Sequence, residues 1–293
     1  MAHDRVTPAA RDAVPLLDPR FPQRVVQVAG NACVAVRERG TPGAAPSLVL
    51  LHGISSDAAS WLHAVQALPP QQHVIAWDAP GYGRSTPLAS PIPTAADYAG
   101  RLHALLQAMD VRRCVLVGHS LGALMACAYA ARAEAMDVRR LVLISPARGY
   151  GAEPAEAARV RRERTEALAR KGVPGIAGQI DQRLLSAHAT PAARQWVRAA
   201  AARLDPQGYL QAVEMLCRSV LAPVPAALSV EVQCGDAGGV TPPAACEQVA
   251  RAFGASFSTL AGCGHANPVQ HPEADAALLQ RAASDTPNRK LHA

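Results

Sequence analysis

The sequence is poor in aromatic and in charged residues. Aromatic side chains make up 4% of its 293 residues and charged ones 18%, whereas 49% are hydrophobic. This composition excludes disorder over most of the chain, because so many apolar side chains can bury a substantial core. The length is compatible with one large core that carries one insertion.

Long hydrophobic runs and paired cysteine motifs are also missing. The longest apolar stretch, residues 121–131, is shorter than the roughly 20 residues that span a bilayer. The first residues include Asp4 and Asp12 and contain no apolar segment of the signal-peptide kind. The seven cysteines are odd in number and have no zinc-site spacing. We therefore expect a cytoplasmic protein with no membrane partner and no metal, whose cysteines pack as small apolar residues.

Positive charge is in moderate excess, with a formal net charge of +6. The densest basic run is residues 159–171, but Glu163 and Glu166 interrupt it and no aromatic residue lies within it. Nucleic-acid binding favours an uninterrupted basic stripe with stacking residues, so we expect no nucleic-acid partner and a solvated, ion-paired helix face. A mildly basic pocket entrance that favours anionic substrates remains an open alternative.

Short apolar runs alternate with helical stretches along much of the chain. Residues 24–28 and 32–37 form a predicted hairpin around Gly30-Asn31. Further strands are predicted at 47–51, 73–77, 114–118, 140–145, 229–234 and 255–260, and helices at 57–68, 94–109, 121–133, 243–253 and 272–283. Strands that are apolar on both faces indicate a mostly parallel sheet covered on both sides. The predicted fold class is α/β, with a doubly wound sheet.

The alternation stops between residues 146 and 225, where helical segments follow one another without a strand. A block inserted there would cover the carboxyl ends of the adjoining strands. The predicted organisation is an irregular leader at 1–23, a core at 24–145 and 226–293, and an all-helical lid at 146–225.

The strongest chemical signal is Gly118-His119-Ser120-Leu121-Gly122, placed between an apolar strand and an alanine-rich helix. A nucleophilic serine needs a sharp strand-to-helix turn, where only small flanking residues avoid the neighbouring backbone. The pattern predicts that Ser120 is a nucleophile exposed at the top of the sheet.

From residue 24 to 283 the chain resembles the α/β-hydrolase fold family. The segment LVLLHG at 48–53 is similar to the family's loop that completes the oxyanion hole, which implies backbone amides of Ile54 and Leu121 as its donors. The segment WDAPGYGRS at 77–85 resembles a structural turn of the family, so Asp78 receives no catalytic role. The segment GCGHANPVQHPEA at 262–274 resembles the loop of the catalytic histidine and selects His265.

The remaining candidates are interpreted by the same resemblance. His52 and His119 correspond to positioning residues, and His271 begins the last helix. Cys263 lies in a variable position and has no base of its own, which favours packing over thiolate chemistry.

The acid of the triad departs from the family pattern. The family places it in G-x-x-D after the penultimate strand, and this alignment puts Gly238 at the acid position. Asp236 is the nearest carboxylate and is the candidate acid, because Gly238-Gly239 would let its loop turn inward. The alternatives are a structural Asp236 with a water or a remote acid in its place. The family's other acid position reads Ser145-Pro146.

The resemblance implies a serine hydrolase that acts on a small ester or related carbonyl substrate through an acyl-enzyme, without a cofactor. Enol-lactones and ring-opened aromatic diketo acids are alternative substrates. A ligand-binding module with little catalysis is the alternative of a different class, since fold does not determine function. The only predicted partner is a small-molecule substrate, and the sequence does not predict an oligomeric state.

Overall fold

The apolar runs form one eight-stranded sheet in a computed structural model, which describes residues 18–284. The strands are β1 (Gln23–Val28), β2 (Ala32–Arg39), β3 (Ser47–Leu51), β4 (Val74–Trp77), β5 (Arg113–His119), β6 (Asp137–Ile144), β7 (Ser229–Gly235) and β8 (Ser256–Leu260). Their spatial order is β1-β2-β4-β3-β5-β6-β7-β8. Strands β1 and β2 pair antiparallel, β2 pairs antiparallel with β4, and the other pairs are parallel.

Helices connect the strands as the sequence predicts. A short 3-10 helix (Ala58–Trp61) precedes α1 (Leu62–Gln66), followed by α2 (Ala95–Ala108), α3 (Leu121–Ala130), α4 (Pro154–Ala177), α5 (Ile180–Leu184), α6 (Pro191–Ala202), α7 (Pro206–Arg218), α8 (Pro243–Ala252), α9 (Asn267–Gln270) and α10 (Pro272–Ala283). Proline occupies the first turn of six of these helices, where its missing N–H would have no intrahelical partner.

Both faces of the sheet are buried, as β3 shows. Leu48 and Leu50 belong to one apolar cluster, whereas Val49 and Leu51 belong to the cluster on the opposite face. All four side chains are fully buried. Since successive side chains of a strand point to opposite faces, this distribution requires packing on both sides of the sheet. The predicted α/β class with a mostly parallel, doubly covered sheet is confirmed.

Four helices, α4 to α7, follow one another between β6 and β7, and the described chain has no strand among them. We refer to residues 146–225 as the helical insertion. Its long helix α4 is interrupted at Gly172, which has a φ of 61° and lies two residues before Pro174. Helix α4 packs against α6 and α7. That the helical insertion acts as a lid remains a prediction.

The predicted leader is only partly described, because residues 1–17 lie outside the described residues. Its last part is packed against the core: Phe21 is fully buried and its carbonyl oxygen accepts a hydrogen bond of 2.6 Å from Arg37 Nη1. Strand β1 already begins at Gln23. Residues 18–22 form neither a helix nor a strand, and burial of Phe21 stabilises their attachment to the core. The division of the chain at residue 23 stays a prediction.

Within residues 18–284 no helix combines the length and the apolar character that crossing a bilayer requires. All seven cysteines lie in this range and are free thiols, and six of them are buried.

An ion pair attaches the helical insertion to the core. Arg203, directly after α6, donates from Nε and Nη2 to Oδ2 of Asp57 at 2.9 and 2.5 Å. Asp57 also begins the 3-10 helix, where its Oδ1 accepts from the amide of Ala59 at 3.0 Å. The Asp57 residue is only 8% exposed, so its carboxylate depends on these donors to replace water.

We expect Arg203→Gln to lower the free energy of unfolding by about 1–3 kcal/mol, the range for a buried charged group that loses its hydrogen-bonding partner. Urea denaturation followed by circular dichroism measures this change. The matched control is Arg112→Gln, because the Arg112 side chain is 85% exposed and its partner Asp110 is 80% exposed. This control should change the free energy of unfolding by less than about 0.5 kcal/mol. Equal effects of the two variants would contradict the anchoring role of Arg203.

Candidate active site

Ser120 occupies a strained turn between β5 and α3. Its φ of 52° and ψ of −115° are rarely adopted by a residue with a side chain. A methyl group at Gly118 would lie 2.6 Å from the carbonyl oxygen of Gly122, and one at Gly122 would lie 2.4 Å from that of Leu51. Both distances are shorter than van der Waals contact. The turn therefore needs glycine at both positions, as the sequence pattern predicts.

His265 lies beside this serine although 145 residues separate them. Its Nε2 is 2.9 Å from Ser120 Oγ, and both residues are buried. Backbone contacts hold the imidazole in place: the amide of His265 donates to the carbonyl of Leu184 in α5 at 2.7 Å, and the His265 carbonyl accepts from His119 Nε2 at 2.9 Å. The helical insertion thus helps to position the histidine.

The second imidazole nitrogen contacts a hydroxyl group. Thr241 Oγ1 lies 3.0 Å from His265 Nδ1 and donates its proton to the carbonyl oxygen of Ser145 at 3.2 Å. Because a hydroxyl has one proton, Thr241 accepts from His265 Nδ1–H. That tautomer leaves Nε2 free to accept a proton from Ser120.

Asp236 does not reach the imidazole. Its Oδ1 accepts a hydrogen bond of 2.8 Å from the amide of Gly262, and its own amide donates to the carbonyl of Leu260 at 3.0 Å. Asp236 follows β7, and these bonds hold its exposed carboxylate against the loop after β8. The expected inward turn of Asp236 is therefore wrong in this structure, where Thr241 occupies its place. Sequence reasoning missed Thr241, since no spacing rule marks a threonine at this point.

Gly238, at the family's acid position, is adjacent to the histidine loop. A Cβ there would lie 3.4 Å from the carbonyl oxygen of Gly235 and 3.7 Å from the carbonyl carbon of Gly264, which is bonded to the amide of His265. These are ordinary van der Waals distances. The backbone at Gly238 therefore has room for a Cβ atom beside the histidine loop.

A cavity of about 290 Å³ opens at the serine, between the core and the helical insertion. Ser120, His265, Thr241, Ile54 and Leu121 all line it. Leu121 is the first residue of α3, so its amide has no intrahelical acceptor and is available to a ligand. The Ile54 carbonyl is held by Tyr82 Oη at 2.8 Å, which restrains the loop that carries the second predicted donor.

Asp78 and His52, which lie in two further motif segments, have structural contacts. Asp78 accepts from the amide of Ala58 at 2.8 Å and from Gln23 Nε2 at 2.9 Å, and burial raises the pKa of this carboxyl to about 6. His52 Nε2 accepts from the amide of Ala79 at 3.0 Å. Both side chains hold loops together near the site, which agrees with the positioning roles that the resemblance implies.

The surroundings of His265 disfavour its positive form. The pKa of His265 lies well below its ordinary value of 6.5. Burial is the largest cause, and repulsion by the nearby His119, Arg183 and Arg164 adds to it. Burial also raises the pKa of Cys263 to about 12, so this neighbouring thiol is protonated at neutral pH. Within residues 18–284 no cluster of three His, Cys, Asp or Glu side chains is placed to hold a metal ion.

Comparisons with known proteins agree with this geometry. A model described as the Alpha/beta hydrolase family matches residues 48–277. Monoacylglycerol lipase abhd6-B of Xenopus laevis is 31% identical over 105 residues, which cover 35% of this chain and 31% of the lipase. The match therefore spans about a third of the length of this curated relative.

Solved structures extend the likeness to nearly the whole chain. A thermophilic esterase from Thermogutta terrifontis superimposes with a TM-score of 0.77 at 24% identity, covering 89% of this chain and 99% of the esterase. The enol-lactonase from Burkholderia xenovorans LB400 gives 0.75 at 22% identity, covering 88% and 99%. At these identities the likeness shows the fold.

A carboxylate beside His265 Nδ1 would favour the imidazolium form, so we expect Gly238→Asp to raise the pKa of His265. In the unsubstituted protein His265 should titrate below pH 6.5. Two-dimensional ¹H–¹⁵N NMR of the imidazole measures both values, and loss of the signal in His265→Gln assigns it. Asp236→Asn is the control and should leave the titration unchanged. A fall in the pKa of His265 in Asp236→Asn, no rise in Gly238→Asp, or a midpoint above 6.5 in the unsubstituted protein would contradict this electrostatic description.

Proposed function

The chain belongs to the alpha/beta hydrolase family, and from this we propose that it is a serine hydrolase of small esters or related carbonyl compounds. The observation that supports this proposal best is the 2.9 Å contact between His265 Nε2 and Ser120 Oγ on a strained turn. A nucleophile and its base within hydrogen-bonding distance, at the wall of a cavity, are what acyl transfer requires.

In the proposed reaction Ser120 Oγ attacks the substrate carbonyl carbon while His265 Nε2 takes the serine proton. The amides of Ile54 and Leu121 donate to the resulting oxyanion. His265 then gives the proton to the leaving alcohol oxygen as the carbon–oxygen bond breaks, which leaves an acyl-enzyme on Ser120. Water attacks this ester while His265 accepts a proton from it. His265 then returns that proton to Ser120 Oγ as the bond between Oγ and the acyl carbon breaks, and the acid product leaves.

We propose that Thr241 orients His265 in place of an acid. The hydroxyl selects the productive tautomer, but it has no negative charge with which to stabilise the imidazolium that forms in the transition state. The function of the acid in a serine triad is worth on the order of 10⁴ in turnover, or roughly 5 kcal/mol of barrier. The proposed enzyme therefore works with part of the usual stabilisation, and activated substrates should suit it best.

Two other functions would use the same site. The first is hydrolysis of enol-lactones or of ring-opened diketo acids, which needs the same serine and histidine. Hydrolysis of a lactone produces a carboxylate and a diketo acid already carries one, which suits a cavity lined by arginines. The second function is that of a binding module with little catalysis, which the neutral Thr241 in the place of the acid favours.

We expect p-nitrophenyl acetate to release p-nitrophenol in a Ser120-dependent reaction, with a burst of about one equivalent if deacylation is the slower step. Stopped-flow absorbance at 400 nm measures it. Ser120→Ala should abolish the burst, whereas Ser56→Ala, which removes another hydroxyl from the wall of the same cavity, should retain it. A folded protein that releases no p-nitrophenol above the level of Ser120→Ala would support the binding module instead.

Thr241→Val removes the acceptor of His265 Nδ1–H at nearly constant volume. Leaving that buried donor unpaired costs about 1–3 kcal/mol, so we expect kcat to fall roughly 5- to 150-fold. Asp236→Asn should lower kcat by no more than about threefold, because it changes an exposed group outside the site. The opposite pattern, with a loss near 10⁴ for Asp236→Asn and little effect of Thr241→Val, would restore Asp236 as the acid.

A further inference from the structure

The cavity at Ser120 is lined by cationic side chains without carboxylates. Arg148, Arg164 and Arg183 contribute guanidinium groups, and the described residues that form its wall include no aspartate or glutamate. Arg164 belongs to α4 and Arg183 to α5, so both reach the cavity from the helical insertion. Ser120 and His265 line the same cavity from the core.

Arg164 and Arg183 differ in their partners from three ion-paired arginines of the basic helix. Arg159, Arg161 and Arg170 each pair with a glutamate, as expected for a solvated helix face. Arg164 instead donates to the neutral Tyr209 hydroxyl at 3.2 Å. Arg183 has no ion pair or hydrogen-bond partner for its side chain within residues 18–284.

Arg183 lines the cavity and is an exposed residue. Partial burial, and next the neighbouring Arg164, lower the pKa of its guanidinium. A guanidinium that lines a cavity open to solvent accounts for both its exposure and its lowered pKa. Two guanidinium groups so placed repel each other, and an anion between them would remove that repulsion.

A carboxylate matches these groups in charge and in geometry. The guanidinium fork binds the two oxygens of a carboxylate side by side, and such charge-assisted hydrogen bonds are stronger than neutral ones. Arg148 contributes less, because its Nη1 donates to Gln248 Oε1 at 3.3 Å. The same positive charges would also disfavour protonation of His265, which must be neutral to act as a base.

We propose that Arg183 and Arg164 form a binding site for a carboxylate of the substrate, so that the protein acts on esters or lactones that carry a free carboxylate at the end remote from the scissile carbonyl. This proposal rests on the proposed hydrolase function for its choice of substrate. The carboxylate takes no part in bond making, and it holds the substrate while Ser120 attacks.

The first experiment compares charged and neutral substrates of equal length. The monomethyl esters of succinic, glutaric, adipic and pimelic acid are tested against the corresponding methyl esters of the monoamides at pH 7, with methanol release measured by gas chromatography. At the best chain length we expect kcat/KM to favour the carboxylate by about 10- to 150-fold, the range for a charge-assisted hydrogen bond. An equal kcat/KM for both series at every length would overturn the proposal.

Variants identify the arginine responsible. Arg183→Gln should lower kcat/KM for the carboxylate ester by at least about tenfold, and for the amide ester by less than about threefold. Arg183→Lys keeps the charge and should retain part of the preference. The matched control is Arg162→Gln, which removes an exposed charge from α4 outside the cavity and should change neither value. A preference that survives Arg183→Gln and Arg164→Gln alike would contradict the site.

A binding measurement separates this proposal from the hydrolase function. Titration calorimetry of Ser120→Ala with adipate should show binding that Arg183→Gln weakens at least about tenfold in the same background. If no ester is cleaved but this difference is found, the carboxylate site stands and the hydrolase function fails. If neutral esters are cleaved through Ser120 but neither adipate nor the carboxylate series responds to Arg183, the hydrolase function stands and the carboxylate site is wrong.

Discussion

The hydrogen bond between His265 Nε2 and Ser120 Oγ is the contact on which the rest of the site depends. It joins two turns that are 145 residues apart and lie after different strands. Parallel strands make this possible, because their carboxyl ends meet at one edge of the sheet. The turn at Ser120 is strained, with a φ of 52°, and the surrounding packing must hold it. Gly118 and Gly122 allow the neighbouring backbone close enough to do so.

The helical insertion contributes to the site in two ways. The carbonyl of Leu184 accepts a hydrogen bond from the amide of His265, so the insertion supports the position of the imidazole. Arg164 and Arg183 bring positive charge to the cavity, which disfavours protonation of that imidazole. The ion pair of Arg203 with Asp57 ties the same insertion to the core.

The third contact of the imidazole distinguishes this site from the usual serine triad. Thr241 supplies the hydrogen bond that selects a tautomer, and the Ser145 carbonyl accepts the proton of its hydroxyl. A carboxylate would supply the same orientation together with a negative charge. Thr241 therefore contributes a hydrogen bond to the imidazole but no negative charge. Gly238, at the position where the family pattern has the acid, leaves room for a Cβ atom but has no side chain.

The sequence by itself determined the sheet class, the turn of Ser120 and the histidine that meets this serine. Unbroken apolar runs, typical of strands buried on both faces, and small residues around Ser120 are local requirements that a sequence must meet. Only the tertiary structure decided the partner of His265 Nδ1, since Asp236 and Thr241 lie on one irregular loop whose path depends on hydrogen bonds with Gly262 and Ser145. It also decided that Arg164 of the basic helix lines the cavity while Arg161 pairs with Glu214, because these contacts form between segments distant in sequence.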